Sequence, residues 1–165
     1  MRILKSAALA VILILSMLLV LGQKSSNESH KAELSGYEEV PAVSSTGSGT
    51  LRLKVNDADQ LIEYELSYEN LEGTTTTAAH IHLGQKSVNG GVIAFFCGSG
   101  GTDPCTTGSG TFTGSISAAN VIGPAGQGIA AGEFAEVVRA LRAGMIYVNV
   151  HTNKHPGGEI RGQVR

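Results

Sequence analysis

The sequence predicts an all-β domain: an antiparallel, Greek-key-like β-sandwich or barrel with one short helix. Three observations carry this. Seven or eight short segments alternate apolar and polar residues, the period of a strand with one face on a core. Clusters of Gly, Ser, Thr, Asn and Pro separate them, with 22 glycines in 165 residues and no tryptophan. A single stretch changes to helical spacing.

In chain order, Ala32 to Gly36 is a short strand, followed by Tyr37-Glu38-Glu39-Val40-Pro41, where proline ends regular pairing. Gly49 to Val55 and Leu61 to Tyr68 alternate cleanly around the turn residues Asn56 to Gln60, which predicts an antiparallel hairpin. A strand ending at His82 follows, then the Asn89-Gly90-Gly91 turn, the apolar run Val92 to Phe96 and the alternating Gly110 to Ser117. Gly123 to Gly128 lacks the lysine of a phosphate loop and reads as a flexible loop. Glu133 to Arg142 places Phe134, Val137, Val138 and Leu141 on one helical face, with acids early, arginines late and Gly144 as the stop. Two strands, Met145 to His151 and Glu159 to Val164, close the chain around the Lys154 to Gly158 turn.

Residues 1–22 stand apart from this domain. Arg2 and Lys5 precede an apolar stretch from Ala7 to Leu21, the layout of a secretory signal peptide cleaved before Gln23 or, if retained, of an N-terminal membrane anchor. Residues 23–31 are polar and aperiodic, which predicts a flexible linker in which His30 is solvated. The domain proper is expected over residues 32–165. Without residues 1–22, ten basic residues face fourteen acidic ones, a formal charge of −4. That sign argues against a nucleic-acid partner, since such affinity rests on cationic contacts to phosphate.

Cys97 and Cys105 bracket a turn-rich stretch. An exported chain meets an oxidising compartment, so a disulfide closing this loop is expected, with a free thiol pair or soft metal ligands as alternatives. Localisation is therefore expected to be extracytoplasmic, with membrane contact only through the N-terminal segment if it is retained.

Four of the five histidines lie in two blocks, Ala79-His80-Ile81-His82 and Tyr147-Val148-Asn149-Val150-His151, the second running on to His155. Residues two apart on a strand share a face, so His80 and His82 can reach one ion, and His151 joins them if the strands are neighbours. Ile81, Ile146, Val148 and Val150 are then core, while the histidines, Tyr147 and Asn149 face outward. A three-histidine set suits copper or zinc and leaves one position open. His155, in a turn, is a less favoured fourth ligand, and Tyr147 and Asn149 could orient an imidazole. The alternative is that the histidines are only hydrogen-bonded surface residues. Arg161 is explained most simply as the partner of Glu159 on the same strand face. No nucleophile elbow or base-orienting acid accompanies the serines and threonines.

Three blocks, Ala79 to His82, Gly144 to Thr152 and Pro156 to Val164, together with the opening Leu34 to Pro41, resemble the CHRD domain, the module named for chordin. The resemblance covers residues 32–164. It implies an extracellular binding module without catalysis, holding a protein, a surface polymer or an ion. More weakly, His80, His82 and His151 resemble in order the copper ligands of copper/zinc superoxide dismutase. The interval between His82 and His151 has no histidine to serve a zinc half-site or bridge. The sequence thus favours a non-catalytic, exported CHRD-type module, with a mononuclear copper or zinc protein as the alternative.

Overall fold

The structure is a computed structural model of the chain, described over residues 27–58 and 60–165. Residues 1–22, and the first four of the expected linker, lie outside the described residues.

Eight strands form one antiparallel sheet: β1 (Asn27–Ser35), β2 (Ser48–Asn56), β3 (Leu61–Glu69), β4 (Thr76–Leu83), β5 (Val92–Cys97), β6 (Gly110–Ile116), β7 (Ile146–Thr152) and β8 (Ile160–Gln163). Among the described residues one α-helix, α1 (Phe134–Arg142), precedes β7. The spatial order is β5-β4-β7-β8-β1-β2-β3-β6. The sheet curls on itself into a nearly closed barrel, as the expected fold class required. β1–β2, β2–β3, β4–β5 and β7–β8 pair as sequence neighbours, whereas β4 with β7, β3 with β6 and β1 with β8 pair across longer stretches of chain.

Alternation explains the core. Leu51, Leu53 and Val55 of β2, Ile62 and Leu66 of β3, Ile81 of β4, and Ile146, Val148 and Val150 of β7 turn inward and are buried. They join a single cluster with residues of every other strand and with Phe134, Val137, Val138 and Leu141 of α1. Tyr64 of β3 packs on Phe96 of β5 at 4.6 Å between ring centroids, tying the two halves of the sheet across the interior. Arg142 at the helix end pairs with Glu28 and Asp57, each at 2.8 Å, anchoring α1 at the barrel end where β1 begins and β2 turns.

The first strand starts five residues earlier than its sequence suggests. Asn27 to Lys31 lacks apolar periodicity, yet it pairs residue for residue with Arg52 to Asn56. The backbone ladder supplies what the side chains do not advertise. His30 is consequently no solvated linker residue: it sits opposite Leu53, with its ring 3.0 Å from the Glu28 carboxylate. At the other edge of β1, Lys31 and Arg165 exchange backbone hydrogen bonds of 2.8 and 2.9 Å, so the two ends of the domain are laced together.

Cys97 and Cys105 form the expected disulfide, with S–S 2.04 Å. The Gly123 to Gly128 segment is held in place by Gln127, which accepts from the Gly91 N–H at 2.6 Å and donates to the Leu83 carbonyl at 3.2 Å.

Candidate metal centre

Strands β4 and β7 are direct neighbours, in the register that the three-histidine reading needs. His80 lies opposite Asn149, His82 opposite Tyr147 and Ala78 opposite His151. Residues paired across two strands point to the same side, so His80, His82, Tyr147, Asn149 and His151 share the face away from the core.

That face is not open. His80 and His82 are only 7% and 8% exposed, Tyr147 and Asn149 are buried, and His151 is half-buried. The outward direction read from alternation is right and the exposure is not. The segments around residues 36–43 and 84–91 lie over the sheet, with the Asn89 side chain donating to the Val40 carbonyl at 3.2 Å and Lys86 pairing with Glu38 at 3.1 Å. Strand periodicity reports which face a residue takes, and long loops decide whether that face is wet.

One nitrogen from each of His80, His82 and His151 lies within 4.8 Å of the others. The ring centroids of His80 stand 4.5 Å from His82 and 4.6 Å from His151. Imidazole nitrogens bind zinc at about 2.0–2.1 Å, so the donors of one ion stand at most about 4.2 Å apart, and separations of up to 4.8 Å would have to close by a few tenths of an ångström for all three to share an ion. Two of the rings are already oriented. His151 donates Nδ1–H to the Pro156 carbonyl at 2.9 Å, and His82 donates Nδ1–H to the Gly90 carbonyl at 2.8 Å. A carbonyl can only accept, so the lone pairs of both rings sit on Nε2. His151 Nε2 and His80 Nδ1 are buried without a protein partner.

Burial also keeps the rings neutral. Desolvation, followed by His82 and His151 as neighbours, pushes the His80 pKa down to about 3. His82 and His151 are likewise lowered by burial, against the opposing hydrogen bonds to Gly90 and Asn149 and to Pro156. Protons therefore do not compete for these lone pairs near neutral pH.

Around the rings lies a shell that the sequence reading only partly foresaw. Asn149 Oδ1 lies 3.1 Å from His82 Nε2, so it meets an imidazole, but at the nitrogen that a metal would take; the outer nitrogen is held by Gly90. Tyr147 acts by stacking: its ring lies parallel to His82, with centroids 4.5 Å apart and planes 3° apart, while its hydroxyl accepts from the Gly90 N–H. Arg161 is the largest correction. It is 1% exposed, donates to Asn89 Oδ1, the Val88 carbonyl and the Gln85 carbonyl at 3.0, 2.8 and 3.4 Å, and lies 3.4 Å above the Tyr147 ring. Glu159 is not its partner. The Glu159 carboxylate accepts instead from Thr152, Ser45 and the Glu72 N–H at 2.6 to 2.7 Å. Burial raises its pKa, but these bonds outweigh burial and hold it below the usual range.

The buried carboxylate on which the Arg161 charge acts is that of Glu39, which sequence reasoning passed over. Burial raises the Glu39 pKa to about 7, against the pull of Arg161 and a hydrogen bond from Asn149. The signal was present as an acid beside the proline of the first block, but its partner is distant in sequence. His155 does not join the metal group. Its Nε2 is buried without a partner, and it lines with Glu39 a hollow of about 240 Å³ beside the Pro156 turn. A hollow of about 680 Å³ lies elsewhere, among the Arg52–Glu65 and Lys54–Glu63 pairs of β2 and β3.

Neither the curated proteins nor the solved structures contain a match to this chain, so the dismutase-like order of the histidines rests on the residues alone. The family model of the CHRD domain matches residues 30–164, taking in every strand from the middle of β1 to the end of β8. The chain therefore belongs to the CHRD domain family.

Proposed function

We propose that this protein is an exported, non-catalytic CHRD-type binding module whose ligand on the β4–β7 face is a single transition-metal ion, copper in preference to zinc, held by His80, His82 and His151. The observation that carries this reading is the group of three converging imidazoles, two of them already oriented by Nδ1 donation to backbone carbonyls. A surface polar ladder needs neither burial nor fixed tautomers, whereas a metal ligand needs both its lone pair and its outer hydrogen bond in place. The absence of a nucleophile–base pair in the sequence, and the envelopment of the face by loops, favour retention of the ion over turnover of a substrate. Export is supported by the signal-like start of the sequence and by the disulfide.

Calorimetric titration of the purified full chain with Cu(II) and Zn(II) tests this. One ion per chain, bound at micromolar concentration or tighter and lost in both His80→Ala and His151→Ala, is the expected result. Unchanged binding in either variant removes that ligand. Copper-dependent superoxide removal at enzymatic rates would overturn the non-catalytic part of the reading.

A further inference from the structure

We infer that Arg161, acting through the ring of Tyr147, makes the three-histidine site select singly charged copper over doubly charged copper or zinc. This rests on the metal-binding reading above. Arg161 is not a ligand; it sets specificity through charge.

Ligand chemistry by itself does not choose among these ions, because imidazole accepts both copper and zinc. Charge does. The three donors are imidazoles, and no carboxylate or thiolate belongs to the group, so the ligands neutralise none of the ion's charge. Beside them stands a fixed cation. Arg161 is buried and held by three acceptors of the 85–89 segment, so it cannot swing away when an ion arrives. Its guanidinium lies 3.4 Å from the Tyr147 ring centroid, and that ring lies 4.5 Å from the centroid of His82. The cation is thus no more than two ring spacings from a donor imidazole, on a face shielded from solvent.

Like charges repel in proportion to the charge of the ion. A doubly charged ion in the histidine site loses twice what a singly charged one loses. At such a separation and an effective dielectric of about 20, one unit of charge changes affinity on the order of tenfold. Glu39, a buried carboxylate lining the hollow beside Pro156, whose carbonyl holds His151, carries the opposite charge and partly offsets it. The Arg161 and Glu39 side chains therefore form a pair of controls that should move metal preference in opposite directions.

The test uses chelator competition on the full chain at pH 8, with Cu(I) under anaerobic reducing conditions and Zn(II) separately. The readout is the ratio of Cu(I) to Zn(II) affinity. Arg161→Gln is expected to lower the ratio about tenfold and Arg161→Lys to restore it towards the parent value. Glu39→Gln is expected to raise it. For the Cu(II)/Cu(I) couple, a tenfold loss of affinity for Cu(I) relative to Cu(II) is a fall of about 59 mV in potential for one electron. A ratio unchanged in a folded Arg161→Gln protein, or a ratio lowered by Glu39→Gln, overturns the inference and leaves the metal site standing. If Arg161→Gln does not fold, Glu39→Gln alone decides by the direction of its shift. Failure of the parent protein to bind either ion overturns the metal reading itself.

Discussion

Nε2 of His82 lies 3.1 Å from Oδ1 of Asn149, across the β4–β7 pair. With Nδ1–H given to Gly90, that Nε2 carries a lone pair; a half-turn of the amide satisfies it with the amide N–H and turns the amide oxygen to Glu39, whose carboxyl holds a proton to donate below its raised pKa of about 7. A metal ion must take the same lone pair, so Asn149 competes with the ion for His82. A neutral hydrogen bond contributes about 1 kcal/mol. Asn149→Ala is expected to bind Cu(I) and Zn(II) no more weakly than the parent, and up to about fivefold more tightly, by chelator competition. A tenfold weakening of both ions would show that Asn149 orients the imidazole rather than competing for it.

Stability should depend on pH through the same face. A histidine in the unfolded chain takes up a proton near pH 6.5, whereas folded His80 does so only near 3, and His82 and His151 are also lowered. Between those values the unfolded state holds more protons, so stability is lost as pH falls, by about 1.4 kcal/mol per pH unit for each histidine fully within its window. Glu39 has the opposite sign. Its folded pKa near 7 exceeds the ordinary 4.5, so its contribution is present below 4.5 and lost as pH rises to 7. Three histidines outweigh one carboxylate. The Tm of the metal-free protein is expected to fall between pH 6.5 and 4, and Glu39→Gln to steepen the fall above pH 4.5. A Tm that stays flat or rises on acidification contradicts the buried, neutral state of the rings.

The disulfide closes a short loop at the end of β5, where Cys97 pairs with Ala79 one residue before His80. Loop-closure entropy for a ring of this size is about 2.5 kcal/mol at 25 °C. Urea unfolding of the Cys97→Ala/Cys105→Ala protein is expected to show a loss of that order with an unchanged fold by circular dichroism. A loss below about 0.5 kcal/mol would mean that the loop is already ordered by its own turns.

Gly158 has φ +126°, and a Cβ there would stand 2.3 Å from Glu39 Oε1. Gly158→Ala therefore meets both a backbone region hostile to side chains and a buried carboxylate. A cost of about 1–3 kcal/mol is expected from the backbone alone, with more from the clash. In a double-mutant cycle, the cost should shrink in a Glu39→Ala background, where the clash is gone. Equal costs in both backgrounds would place the whole effect in the backbone.

Much of this was legible in the chain. The apolar alternation of Leu51 to Val55, Leu61 to Leu66 and Ile146 to Val150 marks strands and their inward faces. The spacing of Phe134, Val137, Val138 and Leu141 marks the helix, and the two cysteines mark a loop closure. Asn27 to Lys31 was not legible as strand, because a backbone ladder with β2 needs no side-chain pattern. The partners of Arg161 and Glu159 were also hidden. Acceptors of the 85–89 segment for Arg161, and donors from Ser45, Glu72 and Thr152 for Glu159, replaced the simple i, i+2 pair, since a buried ion is satisfied by whatever donors or acceptors the fold brings to it.

The sequence by itself determined the period-2 strands, the single helix, the histidines that share a face and the three blocks that mark a CHRD domain. Only the tertiary structure decided that β4 and β7 are neighbours in the register that brings His80, His82 and His151 together. It also decided that loops bury the face they occupy, and that Arg161 and Glu39 stand beside it. The physical reason is range. Alternation is a local property of the backbone, whereas strand order, loop cover and charge proximity arise from contacts between residues far apart in the chain.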